Sequence, residues 1–246
     1  ADGFLATIPE NRSLLQVMTQ GYIEYAFGFL EDDLESTPDD QAHAAQREKI
    51  TARATGIYDR GLEFALRLIA TDDKYFKDAF MKDAATTEAE AKKLDRDSAA
   101  GLLFAGMALG SSINLNRNDV GRVVDLPKAI VLVKRAYQLD PKFYNGGAAM
   151  TLGLIYSSQG KAMGGDPEAA KKYFDECIGV SGGKYLMAKV LMARYYAVVI
   201  QDRALFESTL KEVLNTPASV YPEYRLANEL AKRRAKRYLD HVEDYF

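Results

Sequence analysis

The sequence has no tryptophan, one cysteine, two histidines and only seven prolines among its 246 residues. The single cysteine excludes an intramolecular disulfide. Because Cys177 falls in an apolar helical stripe, we interpret it as a core side chain rather than a nucleophile. His43 and His241 are far apart and have no metal-ligand spacing with cysteine or carboxylates. We therefore predict a non-enzymatic protein with no catalytic site, no metal site and no cofactor.

The chain also lacks a strong charge of either sign and a long apolar run. The 32 Lys and Arg against 35 Asp and Glu give a formal net charge of −3, which argues against nucleic acid as a partner. No uninterrupted apolar run is long enough to cross a bilayer, so we predict no membrane-spanning segment. No signal peptide is visible at the start, Ala1-Asp2-Gly3, which is compatible with a trimmed end.

A repeated helical pattern is what the sequence does contain. Apolar residues recur at i, i+3, i+4, i+7 and i+8 in four places, so each set covers one face of a helix. The four sets begin at Leu62, Ala129, Ala170 and Phe206. The last three begin 41 and 36 residues apart, a spacing typical of stacked helix pairs.

The pattern resembles the tetratricopeptide repeat. Leu152-Gly153 precedes the Ala170 set and Leu109-Gly110 precedes the Ala129 set, so Gly153 and Gly110 are predicted points of close helix approach. The turns are longer than in that repeat, because 17 residues separate Gly153 from Ala170 and 19 separate Gly110 from Ala129. The standard unit has about 12 at this place. We predict an all-α, tetratricopeptide-like solenoid of stacked helix pairs with enlarged inter-helix loops.

No strand pattern and no linker interrupts the helical segments. We therefore predict one helical-repeat domain over 1–246, with N-terminal helices in 1–110, tetratricopeptide-like pairs in 111–215 and a terminal helix in 222–246. Single helices are expected over 87–113, with a bend near Gly101, and over 184–200.

Tyrosines supply the candidate ligand site, which comprises Tyr156, Lys184, Tyr185, Tyr195 and Tyr196. The Gly182-Gly183 turn places Lys184 and Tyr185 at a helix N-terminus, where unpaired N–H groups suit an anionic headgroup. The later tyrosines offer rings for an apolar tail. The alternative is that all these rings are buried between helices, as aromatic stripes at helical spacing usually are.

The strongest charge run supplies a candidate partner-binding surface, formed by Lys232, Arg233, Arg234 and Arg237. A basic helix face can dock an acidic partner. The alternative is an ordinary solvated face whose charges pair with acidic neighbours one turn away, such as Glu229 and Asp240.

An ordered set of motifs over about residues 41–240 resembles one known family, the T-component of TRAP (tripartite ATP-independent periplasmic) solute transporters. The motifs that carry this resemblance are Ser111-Ser112-Ile113-Asn114-Leu115-Asn116-Arg117, Asp125-Leu126-Pro127, Leu139-Asp140-Pro141, Gly164-Gly165-Asp166-Pro167, Ser181-Gly182-Gly183-Lys184 and Leu226-Ala227-Asn228-Glu229-Leu230-Ala231.

The resemblance implies a non-enzymatic periplasmic protein, often lipid-anchored through an N-terminal cysteine, that associates with the solute-binding P-subunit. Some members assemble as trimers around a pore, so the resemblance implies self-association as a trimer. No cysteine lies near Ala1; either the anchor lies in a removed segment or this member is unanchored.

On this basis we predict an accessory scaffold that docks the P-subunit and offers a route or store for a hydrophobic or amphipathic solute. The alternative is a generic tetratricopeptide adaptor that binds a peptide or protein partner. The regular carboxylate-clamp residues of such adaptors are not apparent in the sequence.

Overall fold

The computed structural model describes residues 8–158 and 165–246, and over these residues it contains helices and turns but no strand. The all-α prediction is therefore confirmed. The chain forms two compact units, unit 1 (Ala1–Asp140) and unit 2 (Pro141–Phe246). Their boundary lies inside the range 111–215 that the sequence analysis treats as one set of pairs, and the single-domain organisation stays a prediction.

Unit 1 is built from helices joined by short turns. The helices are α1 (Arg12–Tyr25), which continues through a π-helical turn (Ala26–Leu30) into α2 (Glu31–Ser36), and then α3 (Ala44–Ala70), α4 (Phe76–Phe80), α5 (Ala84–Ala91), α6 (Ala99–Leu115), α7 (Val120–Val123) and α8 (Leu126–Leu139). Helix α1 packs on α3, α3 on α6, and α6 on α8, so α3 and α6 each lie between two other long helices.

Glycines on α6 let its neighbours approach closely. A methyl group added to Gly101 would lie 2.7 Å from Ile69 Cγ1 on α3. One added to Gly106 would overlap Val133 on α8 and lie 3.2 Å from the Ala129 carbonyl oxygen. Gly110 has nothing within 4 Å of such a methyl group, so its predicted role is wrong and the contact lies one turn earlier.

The single helix expected over 87–113 is in fact two helices, α5 and α6. Arg135 of α8 ends α5, because its guanidinium donates to the carbonyl oxygens of Ala91, Lys92 and Leu94 at 3.1, 3.2 and 2.6 Å. In a continuing helix these carbonyl oxygens would instead accept hydrogen bonds from the N–H groups four residues later. The Asp95 carboxylate then accepts from the N–H of Asp97 at 3.0 Å and starts the next turn.

One described segment, Arg96–Leu115, is long and apolar enough to cross a membrane by length and composition alone, with a mean hydropathy of 1.4. The segment is not an uninterrupted apolar run, because it contains Arg96 and Asp97, so the absence of a membrane-spanning segment stays a prediction. In addition, 72% of the window is buried by other helices, which is typical of a core helix. We assign it to the core of unit 1.

Unit 2 contains α9 (Phe143–Ser158), α10 (Pro167–Val180), α11 (Leu186–Leu191) continuing into a π-helical segment (Met192–Ala197), α12 (Arg203–Asn215) and α13 (Arg225–Asp240). Single 3₁₀ turns occur at Ala218–Val220, Pro222–Tyr224 and Val242–Asp244. Helix α9 packs on α10, and α13 packs on α11 and α12. Most of the enlarged loop predicted at 160–168 lies outside the described residues.

The α9–α10 pair has the close helix contact predicted at Gly153. A methyl group on Gly153 would lie 3.1 Å from the Phe174 ring, so glycine permits this ring to lie directly on the α9 backbone. Ala170, Phe174 and Cys177 are fully buried, which confirms that Cys177 is a core side chain. Burial raises the pKa of the Cys177 thiol to about 12, so the nucleophilic thiolate is scarce at neutral pH.

The first turn of α9 departs from right-handed helix. Tyr144, Asn145 and Gly146 have φ angles of 52°, 54° and 75°, and the regular helix runs from Gly147. Glycine is required at Gly146, because a methyl group there would also lie 3.1 Å from Cys177 Cα on α10. The close contact with α10 thus holds this left-handed turn in place.

Candidate functional site

Three tyrosine rings form a row in unit 2, beginning at the residue that precedes α11. Tyr185 contacts Tyr224 edge-on with ring centroids 5.6 Å apart, and Tyr224 lies 4.8 Å from Tyr221. Tyr185 is buried, whereas Tyr221 and Tyr224 are half-buried. The row therefore runs from the interior of the unit towards solvent.

The outer ring of this row connects to the left-handed turn of α9. The Tyr221 hydroxyl donates to Asn145 Oδ1 at 2.9 Å across 76 residues of sequence. Asn145 is 9% exposed, and its Nδ2 is buried without a hydrogen-bond partner. A polar group at a helix N-terminus is thus placed beside an aromatic row, a combination suited to a ligand with one polar and one apolar end.

The N-terminus of α11, the predicted anion site, is already capped. The N–H of Tyr185 donates to Ser181 Oγ at 3.1 Å, and the N–H of Leu186 donates to Asn228 Oδ1 at 2.9 Å. The expectation that these N–H groups are unpaired is therefore wrong. The side chain of Lys184 is exposed, and over the described residues no ion pair of its ammonium group is recorded.

The remaining predicted tyrosines have other recorded partners. Tyr156 stacks on Tyr173 with centroids 5.8 Å apart, and Arg194 lies 5.3 Å from the half-buried ring of Tyr195. Tyr196 is buried and lies roughly 16 Å along the helix axis from Tyr185, since each residue adds about 1.5 Å. Only Lys184 and Tyr185 of the predicted set adjoin the aromatic row.

The sequence reasoning missed Asn145, Tyr221 and Tyr224. Asn145-Gly146 is a recognisable signal for left-handed backbone, since both residue types tolerate it. Tyr221 and Tyr224 lie on either side of Pro222-Glu223 in a short connection, and nothing local indicates that Tyr221 contacts α9 or that Tyr224 contacts Tyr185.

The whole chain, residues 1–246, matches the sequence model of the TRAP transporter T-component family. The protein belongs to this family. The sequence of this T-component is also 23% identical over 239 residues to an uncharacterized protein of Treponema pallidum (strain Nichols). That alignment covers 97% of this chain and 73% of the relative. The T-component is an accessory part of a TRAP transporter, and the family is generally periplasmic or membrane-associated.

The basic run of this T-component is not one exposed surface. Arg234 is 1% exposed, so its burial removes it from any surface that a partner could reach. The ammonium group of Lys232 donates to the carbonyl oxygens of Leu214 and Thr216 at 2.6 and 2.7 Å and so caps α12. Arg237 is half-buried, which leaves Arg233 as the exposed member of the predicted set.

Neither histidine belongs to a metal-binding group over the described parts of the chain. His43 Nδ1 lies 2.7 Å from Asp40, and His241 Nδ1 lies 3.3 Å from Asp244. No group of three His, Cys, Asp or Glu side chains in residues 8–158 and 165–246 is placed to hold a metal ion.

Proposed function

We propose that this T-component docks the solute-binding P-subunit of its transporter and binds a hydrophobic or amphipathic solute in unit 2, which it stores or passes on. The carrying observation is the aromatic row that joins Tyr185, Tyr224 and Tyr221 to the buried amide of Asn145. Rings supply an apolar surface and the amide supplies an orienting polar group, the usual composition of a small-molecule site. Lys184, Tyr156, Tyr195 and Tyr196 remain predicted ligand residues.

The docking part of the proposal centres on the outer face of α13. Its exposed residues are Arg225, Leu226, Glu229, Arg233, Lys236 and Asp240. Leu226 is 64% exposed, so an apolar side chain lies within a charged face. An apolar centre with a charged rim is common in protein interfaces.

A binding assay tests docking. Immobilised T-component is mixed with the purified P-subunit of the same transporter, and the affinities of wild type, Leu226→Asp and Arg233→Glu are compared. Both variants should bind about tenfold more weakly, a loss of about 1.4 kcal/mol. The matched control is Lys92→Glu in unit 1, an exposed residue with an equivalent charge change, which should bind as wild type.

Absence of P-subunit binding by the wild type would overturn the docking proposal. Capture of an unrelated peptide ligand without any transporter subunit would favour the tetratricopeptide adaptor instead.

We also propose a periplasmic, lipid-anchored protein that assembles as a trimer. Sedimentation of the 27.3 kDa chain at micromolar concentration only as a monomer would contradict the trimer.

A further inference from the structure

The left-handed turn of α9 contains an unusual combination of strain and an unpaired polar group. Tyr144 and Asn145 are non-glycine residues with φ of 52° and 54°, a left-handed conformation that asparagine tolerates but that is strained for tyrosine. Such strain persists where the surrounding structure imposes it, and it is concentrated at ligand-binding sites. Here it holds the Asn145 side chain at the N-terminus of a helix whose regular part spans Gly147–Ser158.

The Asn145 amide has one unpaired atom whichever way its oxygen and nitrogen are assigned. Tyr221 occupies one of its two terminal atoms, and the other atom is buried without a partner. Exchanging oxygen and nitrogen would leave the oxygen unpaired instead. The helix N-terminus carries a partial positive charge, so a ligand acceptor is the group expected there, and Nδ2 as donor matches it.

Two other buried polar side chains differ from Asn145 in their hydrogen bonding or their position. Asn228 is fully buried, but it donates to the carbonyl oxygens of Lys184 and Ala218 and accepts from Leu186 N–H, so its amide is satisfied. Thr19 Oγ1 is also buried without a partner, but it lies within α1, where a hydroxyl can rotate towards the carbonyl one turn earlier. Neither group combines an unpaired donor with a helix N-terminus.

We propose that Asn145 Nδ2 and the N-terminus of α9 bind the carboxylate of an amphipathic acid, whose apolar body lies along Tyr221, Tyr224 and Tyr185. This inference rests on the solute-binding part of the proposed function. It moves the headgroup site from the capped N-terminus of α11 to the Asn145 side chain at the start of α9. The ring row continues from the amide in centroid steps of 4.8 and 5.6 Å, which provides a surface for an alkyl chain.

Access to the buried amide requires movement of Tyr221, whose hydroxyl donates to Asn145 Oδ1. Tyr221 lies between two single 3₁₀ turns, Ala218–Val220 and Pro222–Tyr224, and the rings of Tyr221 and Tyr224 are half-buried. Because this connection has no long helix to break, the rings can move aside while α12 and α13 remain intact. An incoming carboxylate then accepts a charge-assisted hydrogen bond from Nδ2, the atom that Tyr221 does not contact.

The experiment uses decanoate as the probe, with decanol and decylamine as matched ligands that lack the carboxylate. Calorimetry should detect decanoate binding to the wild type and weaker binding of both matched ligands. In ¹⁵N-labelled protein the side-chain amide signal of Asn145 should shift on addition of decanoate. Asn145→Asp should weaken decanoate binding about tenfold or more, because carboxylate then meets carboxylate, and should not weaken decylamine binding.

The control variant is Asn118→Asp, which makes the same charge change at an exposed position in unit 1 and should leave decanoate binding unchanged. If decanoate binds wild type and Asn145→Asp equally, or the Asn145 amide signal does not shift, the site is overturned while solute binding stands. If none of the three probes binds, solute binding itself is overturned. The amide signal is read in the wild type, so the test does not depend on a variant that folds poorly.

Discussion

Unit 1 and unit 2 are both helical, but they differ in whether their backbone adopts positive φ angles. Over the described residues, every positive φ angle lies in unit 2, at Tyr144, Asn145, Gly146, Gly182, Gly183 and Gln201. Unit 1 instead relies on close helix contacts at Gly101 and Gly106. Both units contain a π-helical turn, so irregular helix alone does not distinguish them. The difference indicates that unit 1 is organised for packing and that unit 2 tolerates strain at a candidate binding site.

Polar groups inside the two units sharpen this contrast. In unit 1, Arg122 binds Asp59 through two hydrogen bonds of 2.9 Å and donates to Ser112 Oγ at 2.7 Å. This network anchors the enlarged loop that contains α7 to α3. In unit 2, the Asn145 amide keeps an unpaired donor. In unit 1, groups that satisfy one another's hydrogen bonds stabilise a loop. In unit 2, the unpaired amide donor is available to a ligand once it becomes exposed.

The largest expected effect concerns the core of unit 2. Phe174→Ala should lower the free energy of unfolding by about 3–5 kcal/mol, because it leaves a cavity against Gly153. Urea unfolding monitored by circular dichroism measures the loss. Tyr173→Ala, at a half-buried position on the same helix, is the control and should cost less. Equal losses would mean that the Gly153–Phe174 contact is not the main core contact of this helix pair.

The left-handed turn gives the next largest effect. Gly146→Ala should cost about 2–4 kcal/mol, because alanine is strained at positive φ and its methyl group meets the α10 backbone. Gly182→Ala is the matched control, since Gly182 has a φ of 59° but open space around it. It should show only the conformational part, about 1–2 kcal/mol. Equal losses at both positions would show that contact with Cys177 does not constrain the turn.

The packing interpretation of unit 1 predicts two changes of opposite sign. Gly106→Ala should destabilise by about 1–3 kcal/mol through overpacking against Val133 and Ala129. Gly110→Ala, one turn later on α6 with open space around it, should stabilise by about 0.5–1 kcal/mol through the higher helix propensity of alanine. Thermal unfolding of both variants measures the difference. Stabilisation by both changes would contradict the close approach at Gly106.

The smallest effect at neutral pH concerns Cys177. Its pKa is raised to about 12 in the folded protein from a reference of 9.0, so the folded state holds the thiol proton more tightly. The stability linked to this proton is fully present below pH 9 and is lost as the pH rises towards 12. Cys177→Ser removes the titrating thiol. The free energy of unfolding of this variant should therefore fall less steeply between pH 9 and pH 12 than that of the wild type.

A thiol reagent checks the same burial directly. At pH 8 an aromatic disulfide reagent should label Cys177 only after the protein is unfolded in urea, because the folded thiol is both inaccessible and protonated. Rapid labelling of the native protein would contradict the buried position and would indicate that the α9–α10 pair opens readily.

Part of the site could be predicted and part could not, for identifiable reasons. Lys184 and Tyr185 were placed at a helix start because the glycine pair before them is a local turn signal. The capping of the Tyr185 and Leu186 N–H groups by Ser181 and Asn228 was missed, since Asn228 lies 42 residues from the N–H whose hydrogen bond it accepts. Tyr195 and Tyr196 were assigned by a regular 3.6-residue period, but they lie in a π-helical segment where that period does not hold.

The sequence by itself determined the all-α fold and the buried faces of the repeated helices. Ala129, Ala170 and Phe206 begin stripes that are buried as predicted, because an apolar face is visible within one or two turns of one helix. The tertiary structure alone decided where α5 ends, which arginine is buried and which amide is unpaired. The end of α5 and the unpaired amide depend on Arg135 and Tyr221 meeting groups supplied by distant chain segments. Local periodicity carries no information about such pairings, because they are set by how the helices pack.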